Sequence, residues 1–160
     1  MSERYQCRAK PVQDLGKGSW RYGMPLFYEN GDTFLVSTRH KDRKEIVCAA
    51  QVDPETLCMC LGLYDHFERL MYEHDVVRFI RECGNPTTGM YRLVSYHEIV
   101  WDRGTAAFRL KCPGGTMKIQ RGCGYQYTVY GNMLDDKELE HLVSKETVRL
   151  SQMEDGSYRG

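Results

Sequence analysis

Leu63-Tyr64-Asp65-His66-Phe67-Glu68-Arg69-Leu70-Met71-Tyr72-Glu73-His74-Asp75-Val76-Val77-Arg78-Phe79-Ile80-Arg81 supports two incompatible structures. Leu63, Phe67, Leu70, Met71, His74 and Val77 recur at spacings of three and four, the period of a helix with one apolar stripe. The second half, Val-Val-Arg-Phe-Ile, is instead built from β-branched and aromatic residues that fit a pleated surface. The spacing predicts a helix and the composition predicts a strand. The fold class turns on which of them wins.

On the N-terminal side, four segments read as strands: Arg4 to Ala9, Ser19 to Tyr28, Thr33 to Ser37 and Glu45 to Val52. Gly16-Lys-Gly18 and Glu29-Asn30-Gly31-Asp32 punctuate them, and Asn-Gly enters the positive φ angles of a tight hairpin at little cost. On the C-terminal side, Tyr91 to Asp102 and Ala106 to Lys111 form a strand, turn, strand unit around Arg103-Gly104-Thr105. Cys112-Pro-Gly-Gly ends that unit, because proline donates no ladder hydrogen bond. Tyr125 to Tyr130 reads as the last strand. A helix over about 135–143 follows, with Asp135 as cap, Glu138 completing a capping box, and Leu134 against Leu139 as a hydrophobic staple. From Lys145 to Gly160 the chain is polar and reads as a loosely held tail.

Val52-Asp-Pro-Glu-Thr56, Gly62-Leu-Tyr-Asp65 and Tyr72-Glu-His-Asp-Val-Val77, in that order, resemble the YopX family of phage and prophage proteins. The likeness extends to Arg8-Ala-Lys10 and Trp20-Arg-Tyr-Gly23 before them. Beyond them it takes in His97 to Asp102, Ala107 to Leu110, and Val129-Tyr-Gly-Asn132. Family members place Asn-Gly where Phe67-Glu68 stand here, and Gly where His74 stands. The resemblance thus implies two turns flanking a short strand, and we assign Asp75 to Arg81 to a strand. The departures remove the residues that enter the left-handed region most cheaply. Residues 63–74 are accordingly left as either a hairpin, as the resemblance implies, or a helical turn across Tyr64 to Leu70.

The resemblance implies a mainly β chain with an SH3-like, partly open barrel. We expect one domain over 1–144, comprising a strand layer over about 1–56, the barrel over about 57–131, and the C-terminal helix. Periodicity alone supports short strands and equally permits a sandwich. The family brings no established chemistry with it.

With 160 residues, 41% hydrophobic and 28% charged, the chain has the composition of one ordinary folded domain. Its 22 basic and 22 acidic residues cancel, so no long-range field draws it to phosphate backbones. The same balance weakens the repulsion between copies, and a homo-oligomer is expected. Met1 to Arg8 lacks the apolar core of a secretion signal, and no apolar run reaches bilayer length. Seven cysteines, an odd number, suit a reducing compartment without structural disulfides. The expected location is therefore the bacterial cytoplasm.

Candidate chemistry is scattered. Cys58 and Cys60 share a strand face, while Cys112 and Cys123 flank a glycine-rich loop. None of them forms the Cys-x-x-Cys knuckle typical of structural zinc, and no metal or other cofactor is assigned. Nothing selects one of the Cys/His combinations as a nucleophile and base. His74-Asp75 beside Glu73 suggests an oriented base, but reads better as a turn histidine. Arg39-His-Lys-Asp-Arg-Lys44 is the densest basic run, diluted by Asp32, Asp42 and Glu45. Gly114-Gly115 and Gly122-x-Gly124 around Lys118 and Arg121 match no phosphate-loop pattern. Asp53-Pro-Glu-Thr reads as a bend before a strand at Leu57. No catalytic, cofactor-binding or metal-binding residue is assigned. The sequence points to a non-enzymatic, phage-derived protein-binding module with a host protein or a second copy as partner. A nucleic-acid-binding accessory role is the alternative, ahead of a Cys-dependent enzyme or zinc protein.

Overall fold

The computed structural model describes residues 6–13, 19–41, 44–144 and 148–150. The expected Gly16–Gly18 turn, the start of the first expected strand, the tip of the basic run at 42–43, and 145–147 and 151–160 of the expected tail lie outside the described residues. The chain is mainly β, with two antiparallel sheets, a barrel character that is partly open, and one short C-terminal helix. It divides into two compact units. One comprises the described residues up to Leu63 together with Leu70–Glu73, and the other Tyr64–Arg69 together with those from His74 onward.

In the first unit, β1 (Cys7–Ala9), β2 (Arg21–Phe27), β3 (Thr33–Lys41), β4 (Lys44–Val52), β5 (Cys58–Tyr64) and β6 (Leu70–Tyr72) form a sheet in the order β4-β3-β2-β1-β5-β6. The Asn30-Gly31 hairpin forms as expected: Tyr28 N–H donates to Asp32 O at 3.0 Å, and Gly31 takes φ +90°. Pro54–Thr56 is a single 3-10 turn capped by Asp53, whose Oδ1 accepts from Glu55 N–H at 3.0 Å. That turn sends β4 into β5, the bend expected of Asp-Pro-Glu-Thr. Pro11 bridges to Val52, so the sheet curls its buried face around Cys7, Ala9, Leu35, Val52 and Leu57. Gly23 lies where β3 crosses closely, because a Cβ there would sit 2.4 Å from Val36 O.

In the second unit, β7 (Asp75–Asn85), β8 (Gly89–Asp102), β9 (Ala107–Cys112), β10 (Gly115–Lys118) and β11 (Tyr125–Asn132) run in the order β10-β9-β8-β7-β11. β8 is long enough to serve two neighbours on one side. Its Ile99–Asp102 end pairs with β9, and its Arg92–Val94 segment pairs with β12 (Val148–Leu150). No ladder joins β10 to β11, so the curled sheet stays open there. One face of β7 and β8 carries Val76 and Tyr96, which pack against Leu139, Leu142 and Val143 at and within α1 (Glu140–Val143). The other face stacks Phe79 on Tyr127, ring centroids 4.8 Å apart.

The structure corrects several expectations. β5 and β6 join the N-terminal sheet, so the strands of the barrel-like sheet begin at Asp75 and not near residue 57. Pro113-Gly114 does end β9, but it also reverses the chain into β10, which pairs back on β9 from Cys112↔Gly115. β11 is not the last strand: Val148–Leu150, within the expected tail, is held by the hydrogen-bonding edge of β8. The expected helix over 135–143 is a 3-10 turn, Lys137–Leu139, running into α1. The turn is capped by Asp136 and not Asp135, with Asp136 Oδ1 accepting from Glu138 N–H at 3.2 Å, and α1 itself has no side-chain cap. Asn132 O engages the amides of both Asp135 and Asp136, which delays the first helical turn by one residue.

Residues 63–74 resolve as a hairpin. Asp65 decides it. Its Oδ1 accepts from the amides of Phe67 and Arg69, each at 2.9 Å, while Asp65 N–H donates to Arg69 O at 2.8 Å. These bonds close a tight loop that a continuing helix would break. Glu68 at φ +60° and His74 at φ +64° take the left-handed conformation at the two turns. Strain at non-glycine residues of this kind costs on the order of 1 kcal/mol each, and the apolar spacing of 63–77 never gets a helix to act on.

Candidate functional site

Register in the first sheet determines which side chains share a face, because directly paired residues point the same way. Met24 pairs with Val36 and Val36 with Ala49, while Leu26 pairs with Phe34 and Thr38 with Val47. Tyr22, Met24 and Leu26 therefore line up along β2 beside Phe34 and Val36 on β3 and Val47 and Ala49 on β4. The opposite face holds Thr33, Leu35 and Val52, all buried. The first face is open: Tyr22, Met24 and Leu26 are each more than two-fifths exposed and Val47 is 66% exposed. Past the end of β2, Tyr28 extends the open face by meeting Phe34 edge to face, ring centroids 5.4 Å apart, whereas Phe27 pairs with Thr33 and belongs to the other face. Scattered surface apolar residues are ordinary, but a contiguous row across three strands is a candidate contact surface.

One end of this face is fixed by stacking. The Arg8 guanidinium sits 4.6 Å from the Trp20 ring centroid and 4.5 Å from that of Tyr72, and Tyr22 meets Tyr72 edge to face at 6.0 Å. Cys58 and Cys60 lie beneath, buried on one strand face as their spacing predicted. Cys7 is also buried, and its thiol is pushed up by burial and by the neighbouring Cys60 and Glu73, which disfavours a thiolate.

The second unit holds two polar clusters, each built on a buried side chain, that sequence reasoning missed. Ser95 Oγ lies 2.7 Å from His97 Nε2, and His97 Nδ1 lies 2.9 Å from Lys111 O. A carbonyl only accepts, so Nδ1 carries the proton and Nε2 accepts from the serine hydroxyl. This is the hydrogen-bond order of a serine nucleophile and its base. Both side chains are buried, however, His97 packs on Phe79 with centroids 6.0 Å apart, and burial pushes its imidazole below the ordinary value. The pair satisfies polar groups in a core. The Ser-x-His spacing on a strand was the available signal, since it puts both side chains on one face; the Lys111 carbonyl came only with the β8–β9 pairing.

In the other cluster, Glu98 takes His74 Nδ1 at 2.8 Å on one oxygen and Lys111 Nζ at 3.3 Å on the other. Burial raises the Glu98 carboxyl, but these two partners outweigh it and hold the group below its usual range. The partner of His74 is thus Glu98 and not Asp75, which is buried and accepts from Asn132 Nδ2 at 3.1 Å.

An open cleft of ≈ 430 Å³ is lined in part by Tyr64, His66, Glu82, Arg92, Cys123 and Tyr125. Asp65 borders it, yet both its oxygens are engaged: Oδ2 takes Val129 N–H at 2.9 Å and Arg69 Nη2 at 2.7 Å. Burial works to raise this carboxyl and the Arg69 and backbone donors more than offset it, so the group is held low and acts as a bracket and not as a base.

The remaining candidates separate. Arg39, His40 and Lys41 end β3 and Lys44 begins β4, with the side chains of 39–43 outside the described residues. Gly115 and Lys118 bound β10, and Gly122 and Gly124 lie in the turn before β11, with no helix start behind them. Cys112 is half-buried at the end of β9 and Cys123 is exposed. Among the described residues, no three of His, Cys, Asp and Glu converge as a metal site, and no helix is long and apolar enough to cross a membrane. No protein-family model, curated protein or solved structure matches this chain.

Proposed function

We propose that this chain is a YopX-like, phage-derived protein that acts in the bacterial cytoplasm as a self-associating, non-enzymatic binding module. Its partner surface is the open face of β2, β3 and β4, where Tyr22, Met24, Leu26 and Val47 stand solvent-exposed in register. That row is the observation that carries the reading. Desolvating large, rigid apolar and aromatic side chains is the main source of protein–protein affinity. The YopX likeness draws support from the two positive-φ residues, Glu68 and His74, which stand where the family places Asn-Gly and Gly. The SH3-like character of the barrel and the prophage origin rest on that likeness.

The test is capture from a bacterial host lysate with the wild type and with a Met24→Lys/Leu26→Lys variant, both surface changes that spare the buried face. A host protein retained by the first and released by the second supports the reading. Identical retention by both removes it. Salt-dependent binding of single-stranded DNA in a parallel gel-shift titration would turn the reading to a nucleic-acid accessory role instead.

A further inference from the structure

The middle of the β4 edge, between the Lys44-Glu45 charges at one end and the Pro11 bridge at the other, lacks the protection found at the other ends of the two sheets. Native edge strands avoid unwanted pairing by carrying charges, prolines or bulges, or by being short. β6, the opposite edge of the same sheet, is three residues long. β4 is nine residues long, its ladder with β3 runs from Thr33↔Val52 to Lys41↔Lys44 without a register shift, and Ile46-Val47-Cys48-Ala49-Ala50 contains neither charge nor proline. Its far end is already occupied: Val12 N–H donates to Gln51 O at 3.3 Å, and Pro11 bridges Val52. Among the described residues, the stretch of this outer edge left without a partner strand is therefore Lys44–Ala50, with Val47 at its centre.

We propose that two copies of this chain join through this edge, Lys44–Ala50 pairing antiparallel with the same segment of the second copy about a two-fold axis at Val47. The inference rests on the reading of the chain as a self-associating binding module and names the contact. An isologous pair sets each residue against its mirror position. Val47 meets Val47, Ile46 meets Cys48, Glu45 meets Ala49 and Lys44 meets Ala50. Apolar side chains thus oppose apolar ones through the middle, and no like charges stand opposite each other. An antiparallel self-register that opposes Lys44 to Lys44 or Glu45 to Glu45 would overlap Lys44–Ala50 by three residues at most, so the longest overlap is free of like-charge opposition. Zero net charge leaves no long-range barrier to a second copy. Pairing here also joins the two open faces into one apolar surface, since Val47 and Ala49 belong to both the edge and the face.

Sedimentation velocity in reducing buffer over a concentration series tests this. The wild type should dimerise. Val47→Lys and Val47→Glu, at a 66% exposed position, should each fold with an unchanged circular dichroism spectrum and associate about tenfold more weakly or worse. An equimolar mixture of the two should restore dimers, because opposite charges then face each other on the axis. Leu26→Lys, on the face but away from the edge, should leave dimerisation intact. If Val47→Lys associates as the wild type does, or if the mixture stays monomeric, edge pairing is wrong while self-association by another surface stands. A wild type that is monomeric at every concentration overturns both.

Discussion

The two units treat the edges of their sheets differently. In the second unit, chain segments cover the strand rims: the 65–69 loop brackets β11 through His66 N–H to Tyr127 O at 2.8 Å and Val129 N–H to Asp65 Oδ2 at 2.9 Å, and β12 lies along β8. In the first unit, no described segment pairs with the outer edge of β4 from Lys44 to Ala50, which runs beside an apolar face. Backbone hydrogen bonds that are satisfied within the chain build stability, whereas those left open build association. The second unit therefore resembles a scaffold, and the first, on the proposed function, a surface offered to a partner.

Asp65→Ala is the strongest way to break the second unit's side of this contrast. It removes a fully buried carboxylate and strands the amides of Phe67, Arg69 and Val129, so chemical denaturation should report a loss of about 3–5 kcal/mol. A loss below about 1 kcal/mol would show that the loop does not brace β11. Gly23→Ala probes the first unit. Its added methyl would fall 2.4 Å from Val36 O, and because backbone cannot swing aside, the cost should be about 1–3 kcal/mol, read in the same way. An unchanged midpoint would mean that the β2–β3 crossing has slack.

The smallest effect is one of pH, and it sharpens the scaffold role of the buried Ser95–His97 pair. Burial holds His97 below its ordinary 6.5, so the unfolded chain takes up a proton at a pH where the folded chain does not. Its stabilising contribution is complete above about 6.5 and is lost as pH falls through the lower folded value, at no more than about 1.4 kcal/mol per pH unit. Asp65 and Glu98, both held low, add their own losses only at more acid pH, below their ordinary 3.8 and 4.5. Urea midpoints should therefore drop between pH 7.5 and 5.5 in the wild type and change less in His97→Gln. Equal slopes in the two proteins would locate the titration elsewhere.

Where short-range chemistry decided the outcome, the sequence was legible. Asn30-Gly31 made its hairpin, Asp53-Pro54 its bend, and the Val-Val-Arg-Phe-Ile run its strand. The capping aspartate was misplaced by one residue, because the competing acceptor, Asn132 O, belongs to the preceding turn and not to the helix. The candidate surface was less legible. Alternation along β2 showed that Tyr22, Met24 and Leu26 share a side, but an aromatic-rich strand does not say which of its sides faces water.

The amino-acid order by itself determined that the chain is mainly β and where the Asn30-Gly31 and Asp53-Pro54 turns fall, which depend on φ preferences and on the two-residue period of a strand. Turns at His74 and the 67–68 pair were implied by the family resemblance, against the φ preferences of the residues that stand there. Only the tertiary structure decided that Asp65 spends both oxygens closing one loop, that Ser95 and His97 meet Lys111 O inside a core, that 148–150 becomes a strand, and that β4 is left as an open edge. Each of these depends on which distant segments lie side by side, and register between strands is set by packing and long-range hydrogen bonds that no local stretch of sequence contains.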